Sequence, residues 1–489
     1  MSYPSLLFSE KASGRRIAAH VFEDVKLNAF FSEESIGAMR ALCRSEDIPV
    51  RQDLLRYLDD EAAVRESLQK LSGITVELLR LHAALQDVKC ENERHYVFVG
   101  LMAAVADFEQ LAASLPDAGG PLLQRFGNRF RADCADGERS ARSAKARELR
   151  QAAEKARRET FRMSGENLWM RPDFRESYVE RLQRCADELG LPPYRGNREV
   201  SLRLDARMVN ALARLHPEAF LAFRDYYAKY GDSFDASILS YRFELDFYLE
   251  ALKLMDRIRA AGLPLCWPRI SDEKKIEIRR LYDISLLLKD GVAIVPNDAV
   301  FTQEEPFFFL TGANGGGKTT FLRSLANAAV LFLSGCPICA ADAAITPLDN
   351  VFTHFPQDER FEADGRYADE QRRVGEILAA HGGNSLILLN ETYATTNEEL
   401  AVTSTLELTE KLKHSGSFTL YITHQHGLEA AGVPFLSVIV DRDDQNRRTY
   451  RIARRQEAEG SYASDILRRY ALDEEALKKR FGAVGGGEG

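Results

Sequence analysis

Gly312 to Thr319 read GANGGGKT, a G-x-x-x-x-G-K-[ST] pattern set directly after the apolar run FFFLT (307–311) and directly before a helical run, Phe321 to Leu333. Glycines at this spacing let backbone N–H groups curl around phosphate oxygens, and the helix start behind them adds partial positive charge. Gly312, Ala313, Asn314, Gly315, Gly316, Gly317, Lys318, Thr319 and Thr320 are therefore candidate contacts to ATP. Lys318 is expected at the β- and γ-phosphates, and the Thr319 hydroxyl on Mg2+. The strand–loop–helix frame separates this reading from a glycine-rich structural turn.

A second stretch, LILLNETY (386–393), places Asn390 and Glu391 at the end of another apolar run. ATPases with this loop usually carry an acid at the end of such a strand, often two in a row. The first supports the magnesium shell and the second polarises the attacking water. Here the first is an amide. Glu391 remains the candidate that activates water. Thr423-His424 end the next apolar run, where an imidazole can touch the γ-phosphate. Each of these, alone, reads as a polar cap; their order after the glycine loop joins them into one candidate catalytic set, Lys318, Glu391 and His424.

Such residues need a sheet to hold them. After Trp267-Pro268, the runs at 307–311, 350–355, 385–390, 417–423 and 435–441 alternate with amphipathic helices, the pattern of an α/β domain with a largely parallel sheet. Upstream, from about Glu34 to Leu265, the periodicity is mainly helical. Residues 138–162 hold many Ala, Arg and Glu but almost no large apolar side chains, so a long exposed helix is expected there. LGLPPYRGN (189–197) reads as a turn, and a second long helical stretch is expected from Pro217 to Ala261. An outgoing arm, a tip and a returning arm result. The fold class is multidomain, a mainly α-helical part followed by an α/β P-loop NTPase domain.

The 489 residues are 45% hydrophobic and 28% charged, which excludes wholesale disorder. A net charge of −9 exerts no global pull toward nucleic acid or membrane, so any polyanion site must be local. The run Ala328 to Ala344 is broken by Ser334, Pro337 and Asp342 and cannot span a bilayer. The N-terminus does not read as a signal peptide, so a cytoplasmic protein is expected. Seven cysteines follow no disulfide framework. Cys336 and Cys339 form a C-x-x-C that reads as two small apolar residues at a helix-to-strand corner, with a redox pair as the alternative.

TGANGGGKTTFLRSL resembles the P-loop of the MutS family, TGPN-x-GGKST-[YF]-LR. GCPICAADAAI, FTHFPQDERF, LLNETYATT and YITHQHGL resemble that family's successive segments, and PRISDEKKIEIRRLYD and VPNDAVF its lead-in. SEDIPVRQDLLRYLDDEAAVRESL resembles the start of the family's core domain. The similarity is dense over 266–470 and thin through the helical arms. It implies an N-terminal extension (1–25), a helical core (26–137), a lever and clamp (138–265), the ATPase domain (266–470) and a C-terminal helix with a flexible tail (471–489). It further implies Gly315 to Thr320 on phosphate, Asp358 or Glu359 near the metal together with Thr319 and Asn390, and a homodimer with composite nucleotide sites.

The chain departs from the family pattern at Asn390, at Ile294, which stands where many members place an aromatic residue on adenine, and at GRYADEQ (365–371). The last replaces a signature whose Ser/Thr pair reaches across the dimer. No LSGG-type signature is present, which argues against a transporter module. The resemblance includes neither the mismatch-reading N-terminal domain nor the Smr nuclease domain. DNA contact is then expected from the arms, with Arg142, Lys145, Arg150 and Arg157 as candidates. Interleaved glutamates keep open the alternative of a solvated helix with i,i+4 ion pairs. The expected function is a slow, DNA-gated ATPase on duplex or branched DNA. The alternative is a nucleotide-gated interaction protein acting on RNA, a ribosome or another protein, with little hydrolysis.

Overall fold

The computed structural model describes residues 4–9, 16–41, 44–164, 167–170, 206–289, 291–355, 363–393, 397–440 and 448–455. The helices in chain order are α1 (Ala19–Asp24), α2 (Glu33–Met39), α3 (Asp47–Asp60), α4 (Ala62–Gln86), α5 (Glu91–Ala113), α6 (Gly120–Ala135), α7 (Gly137–Thr160), α8 (Ala206–Leu215), α9 (Pro217–Tyr230), α10 (Tyr241–Ala260), α11 (Lys318–Leu333), α12 (Ala363–Ala380) and α13 (Glu398–Lys413). The strands are β1 (Phe161–Ser164), β2 (Asn167–Met170), β3 (Arg269–Ile270), β4 (Ile276–Leu281), β5 (Asn297–Phe301), β6 (Phe307–Thr311), β7 (Asp342–Ile345), β8 (Val351–His354), β9 (Leu386–Asn390), β10 (Phe418–Ile422), β11 (Phe435–Val440) and β12 (Arg448–Arg454). The chain forms two compact units, one from residues 1–10 and 53–252, the other from 11–52 and 253–489.

In the first unit α5 is the central helix, packed by α4, α6, α7 and α9. It is long and apolar enough to cross a membrane by composition, a property the run at 328–344 does not share, but most of its surface is covered as the core of this unit. Phe98, Val99, Met102 and Ala103 of α5 meet Ala146, Leu149, Ala153 and Ala156 of α7 and Phe220, Phe223 and Tyr226 of α9. This corrects the expectation of an exposed helix at 138–162. Residues 146, 149, 153 and 156 share one face at helical spacing, and small alanines there let α7 approach α5 closely. A second correction concerns 217–261, which is broken after Gly231 into α9 and α10, with Asp235 accepting from the Ser237 N–H in the turn between them. The 189–197 turn lies outside the described residues.

The described N-terminal residues of this unit are tied to α10. Glu244 accepts from the Leu6 N–H (2.6 Å) and the Ser5 hydroxyl (3.0 Å). Desolvation nevertheless pushes its carboxyl up to about 7 from 4.5. Between these values the folded form binds more proton than the unfolded one, so this group's stability contribution is full at the acid end and falls as pH rises through 7. The loss is on the order of 2–4 kcal/mol. Urea unfolding at pH 5 and pH 7.5 should show this decline in the wild type, and a smaller one in Glu244→Gln; an equal decline in both would remove Glu244 as its source.

In the second unit a six-stranded sheet runs β12-β11-β6-β10-β9-β8, parallel except for β12. β6, β9 and β10 are buried on both faces, apart from the end residue Thr311, which is why they read as continuous apolar runs. The β8 edge is covered by α1. His20 Nε2 lies 3.3 Å from the Thr353 carbonyl, and the Thr353 hydroxyl donates to Asp24 Oδ2 at 2.6 Å. A four-stranded sheet, β3-β7-β4-β5, completes the unit.

Residues 11–52 thus fold with the ATPase-like part, whereas 53–137 and 138–252 share one unit; the boundaries expected at 25/26 and 137/138 do not separate compact units. The end of α11 accounts for part of this. The Gly335 N–H bonds the Phe332 carbonyl and the Cys336 N–H the Leu331 carbonyl, a Schellman closure that needs the left-handed φ of +75° at Gly335. Arg51, fully buried, donates to the Leu333 carbonyl (2.7 Å) and the Ser334 carbonyl (3.1 Å) of the same helix end. A Cβ on Gly335 would stand 2.6 Å from Arg51 Cβ. Cys336 and Cys339 are free and buried, and burial pushes both thiols up to about 12, as fits small apolar packing residues rather than a redox pair.

Candidate nucleotide-binding site

The loop 312–317 leaves the end of β6 and enters α11 at Lys318. Gly312, Gly315 and Gly317 have φ of +123°, +71° and +98°, a conformation that side-chain-bearing residues rarely adopt. β11 and β12 lie against the loop. Arg448 Nη1 donates to the Gly315 carbonyl at 3.2 Å, and a Cβ on Gly315 would come within 2.5 Å of that nitrogen. Asn297 bonds β5 to β12, donating to the Tyr450 carbonyl (3.0 Å) and accepting from the Ile452 N–H (2.7 Å).

Lys318 is buried, and its Nζ reaches the carbonyls of Gly312 (2.7 Å) and Ala313 (3.2 Å), Asn314 Oδ1 (3.4 Å) and His424 Nε2 (3.1 Å). Burial lowers its pKa from the ordinary lysine value, and the Glu391 charge opposes that shift. His424 Nε2 also lies 3.3 Å from Glu391 Oε1. A single ring nitrogen cannot accept from Lys318 and donate to Glu391 at once. Its proton decides which of the two it serves. The His424 hydrogen bond, with help from the charges of His424 and Lys318, holds the Glu391 carboxyl below its usual range against a smaller effect of burial. Glu391 is therefore ionised at neutral pH, as a proton acceptor must be.

Neighbouring strand ends position these groups. Glu391 and Tyr393 both adopt left-handed φ, +53° and +65°, which is costly for residues with side chains. The turn is held from several sides. The Glu391 N–H donates to the Ile422 carbonyl (2.9 Å), Tyr421 Oη to the Thr392 carbonyl (2.6 Å), and Thr392 Oγ1 lies 3.0 Å from His354 Nδ1. Glu370 of α12 accepts the Tyr393 N–H at 3.0 Å. The segment GRYADEQ thus includes an anchor for the turn that carries Glu391 in the same chain.

Asn390 is 7% exposed, and its Oδ1 has no hydrogen-bond partner among the described residues. An orphaned buried amide oxygen at the strand end, with Thr319 in the first turn of α11, suits an oxygen-preferring cation such as Mg2+. The residues present fit that ion. Asp358 and Glu359 lie outside the described residues. Ile294 is half-buried in the segment before β5, and Thr320 is half-buried in the first turn of α11.

The structure joins Gly312, Ala313, Asn314, Lys318, Glu391 and His424 into one contact set. It does not align the four α7 cations as one basic stripe. Arg150 pairs with Asp107 (2.6 Å), Lys145 pairs with Glu148 (2.7 Å), Arg142 is half-buried beside Glu109, and Arg157 is half-buried near Tyr96. Sequence reasoning missed Arg448 and Glu370. Neither belongs to a motif with its partner, since Gly315 and Arg448 are 133 residues apart.

A parallel sheet whose strand ends present this loop, a carboxylate and an imidazole defines a P-loop nucleotide-binding domain. Residues 308–473 match the family model of MutS domain V. An endonuclease MutS2 from Streptococcus uberis is 29% identical over 219 residues, 43% of this chain and 27% of that protein. A DNA mismatch repair protein MutS from Oceanobacillus iheyensis is 29% identical over 149 residues, 30% of this chain and 17% of that protein. A DNA mismatch repair protein MutS 2 from Halobacterium salinarum is 33% identical over 139 residues, 28% of this chain and 16% of that protein. The chain carries a MutS-like ATPase domain. The matched stretches span about a quarter or less of these relatives' own lengths.

Proposed function

We propose that the chain is a Mg2+-dependent ATPase with slow turnover that acts on duplex or branched DNA as a homodimer in the cytoplasm. The observation that carries the ATPase reading is the contact of Lys318, His424 and Glu391 at the glycine loop. On binding ATP, Lys318 exchanges the Gly312 and Ala313 carbonyls for phosphate oxygens. The ionised Glu391 accepts a proton from water, and His424, already between lysine and carboxylate, registers the γ-phosphate. Thr319 and Asn390 would hold Mg2+ and its water, whose charge offsets that of the phosphates. Gly315, Gly316, Gly317 and Thr320 complete the phosphate cradle, and Ile294 gives the adenine an aliphatic face.

The DNA reading is supported by resemblance and by the names of the relatives, which belong to those proteins. Within α7, Lys145 is the exposed cation of the four; Arg142, Arg150 and Arg157 must leave intramolecular surroundings to reach a phosphate. Steady-state ATP hydrolysis with and without duplex and four-way-junction DNA tests the proposal, with Glu391→Ala as the blank. A wild-type rate equal to the blank, with ATP still bound, favours the second reading, a nucleotide-gated interaction protein. The Asn390 amide is the observation behind that reading.

Asn390→Asp gives a sharper check. Supporting groups of this kind tune metal affinity or activity by about 10- to 100-fold. The aspartate variant should lower the magnesium midpoint of hydrolysis by a factor in that range. An unchanged midpoint and rate would show that this position does not set the metal requirement.

A further inference from the structure

The helical unit contains a cavity of about 570 Å³ between the start of α5, the end of α8 and the first turns of α9. Its polar lining is Glu91, Asn92, His95, Asn210, Arg214 and Arg224. His95 is only 8% exposed and has no hydrogen-bond partner among the described residues, although it lines the cavity. Its ring nitrogens are not among the buried polar atoms left without a partner, so they reach the open cavity, where a ligand or solvent can bond them. Its one described ring neighbour, Tyr227 at 5.0 Å, supplies packing and no hydrogen bond.

The surrounding charges say what kind of ligand fits. Two helix N-termini open onto the cavity, and neither Cys90 before α5 nor His216 before α9 caps its helix with a side chain. The first-turn N–H groups present partial positive charge, although Pro217, the first residue of α9, contributes none. Arg214 and Arg224 add full charges, and both are exposed. Arg224 shares its guanidinium with the equally exposed Asp225 (3.0 Å). The Asn92 amide (2.9 Å) and the Cys90 thiol (3.6 Å) donate to Asn210 Oδ1, which leaves the Asn210 amide N–H groups as further donors. Glu91 is the one carboxylate of the lining, exposed in the first turn of α5. Two guanidinium groups, two helix starts and a donor imidazole outweigh it and the carbonyl end of α8, so an anion with several acceptor oxygens is favoured over a cation.

We propose that this cavity is a binding site for a phosphate group, carried by a polynucleotide backbone or by a free phosphate compound. The site is separate from the glycine loop, and its test does not depend on nucleotide hydrolysis. Wild type, Arg214→Gln/Arg224→Gln and Glu91→Gln would be titrated as full chains without ATP, against inorganic phosphate by calorimetry and against a short labelled duplex by anisotropy over a salt series. Thermal unfolding would establish that each variant is folded.

Loss of two charge-assisted contacts should weaken phosphate-bearing ligands by about tenfold or more in the double variant. Glu91→Gln should tighten binding, a gain that a merely structural residue would not give. For duplex, the double variant should also lower the salt slope by about 1.8, two phosphate contacts at about 0.9 each. Weakening of both probes assigns the site to a polynucleotide backbone, and weakening of inorganic phosphate alone assigns it to a free phosphate compound. Affinities of the double variant within about twofold of wild type for both probes, or weaker binding by Glu91→Gln, would overturn the proposal. Loss of ATP binding in Lys318→Ala with phosphate binding here intact would separate the two sites.

Discussion

Glu391→Ala is expected to lower ATP turnover by about 100- to 10,000-fold, the range for loss of a positioned general base. Binding of ATP should change little, because the phosphate contacts come from the loop, Lys318 and Thr319. The substitution leaves the strain of the left-handed backbone, φ +53°, unchanged, since alanine also carries a Cβ, and the Ile422, Tyr421 and Glu370 contacts around the turn are kept. The variant should therefore fold about as stably as wild type, losing only a partly exposed contact to His424, so that lost turnover cannot be ascribed to unfolding. Because the Glu391 carboxyl is held below its usual range by His424, protonation of Glu391 should cost wild-type turnover only on acidification below the ordinary glutamate range. Single-turnover rates and nucleotide affinities for the two proteins decide the matter. A variant within about tenfold of wild type would assign proton transfer to another group.

The second large effect concerns stability. Arg51→Ala should destabilise the unit containing the glycine loop by about 3–5 kcal/mol, as expected when one member of a buried charged set is removed. Arg51 is fully buried, lies 3.9 Å from Asp47, and serves two carbonyls at the α11 end, where a cation also opposes the helix dipole. Lysine should not restore the loss, since its ammonium cannot present a planar fork to Leu333 and Ser334 together. Urea unfolding reads the outcome through the midpoint at constant slope. A shift under about 1 kcal/mol would mean that water replaces the guanidinium without cost.

The chemistry was legible where one short segment carries both the residue and the reason for it. Phe307–Thr311, Leu386–Asn390 and Phe418–Ile422 read as buried parallel strands because both of their faces are covered. The glycine loop and the strand-end residues Glu391 and His424 followed from them. What was not legible depends on distant partners. The alanine stripe of α7 lacks bulk, so its burial is visible only once α5 lies beside it. Gly231 ends α9 at the polar segment GDSFDAS (231–237), which lies inside a longer stretch rich in Phe, Tyr and Leu. Arg51 has the look of a surface cation in the charged string SEDIPVRQDLLRY, and only the α11 end explains why it is inside. Glu370 likewise serves a turn 23 residues downstream.

The placement of residues 11–52 with 253–489 also sets a timetable for synthesis. Arg51 and the Leu333 carbonyl it binds are 282 residues apart. At about 5–20 residues per second, roughly 15–60 s pass between the emergence of the two. During that interval Ile17, Val21 and Phe22, all buried in the finished fold, lack the β8 edge that α1 covers. The nascent chain must therefore be kept from aggregating over a period far longer than helix or hairpin formation. Holding factors at the ribosome, rather than intrinsic folding speed, should decide how much of this protein reaches its native state.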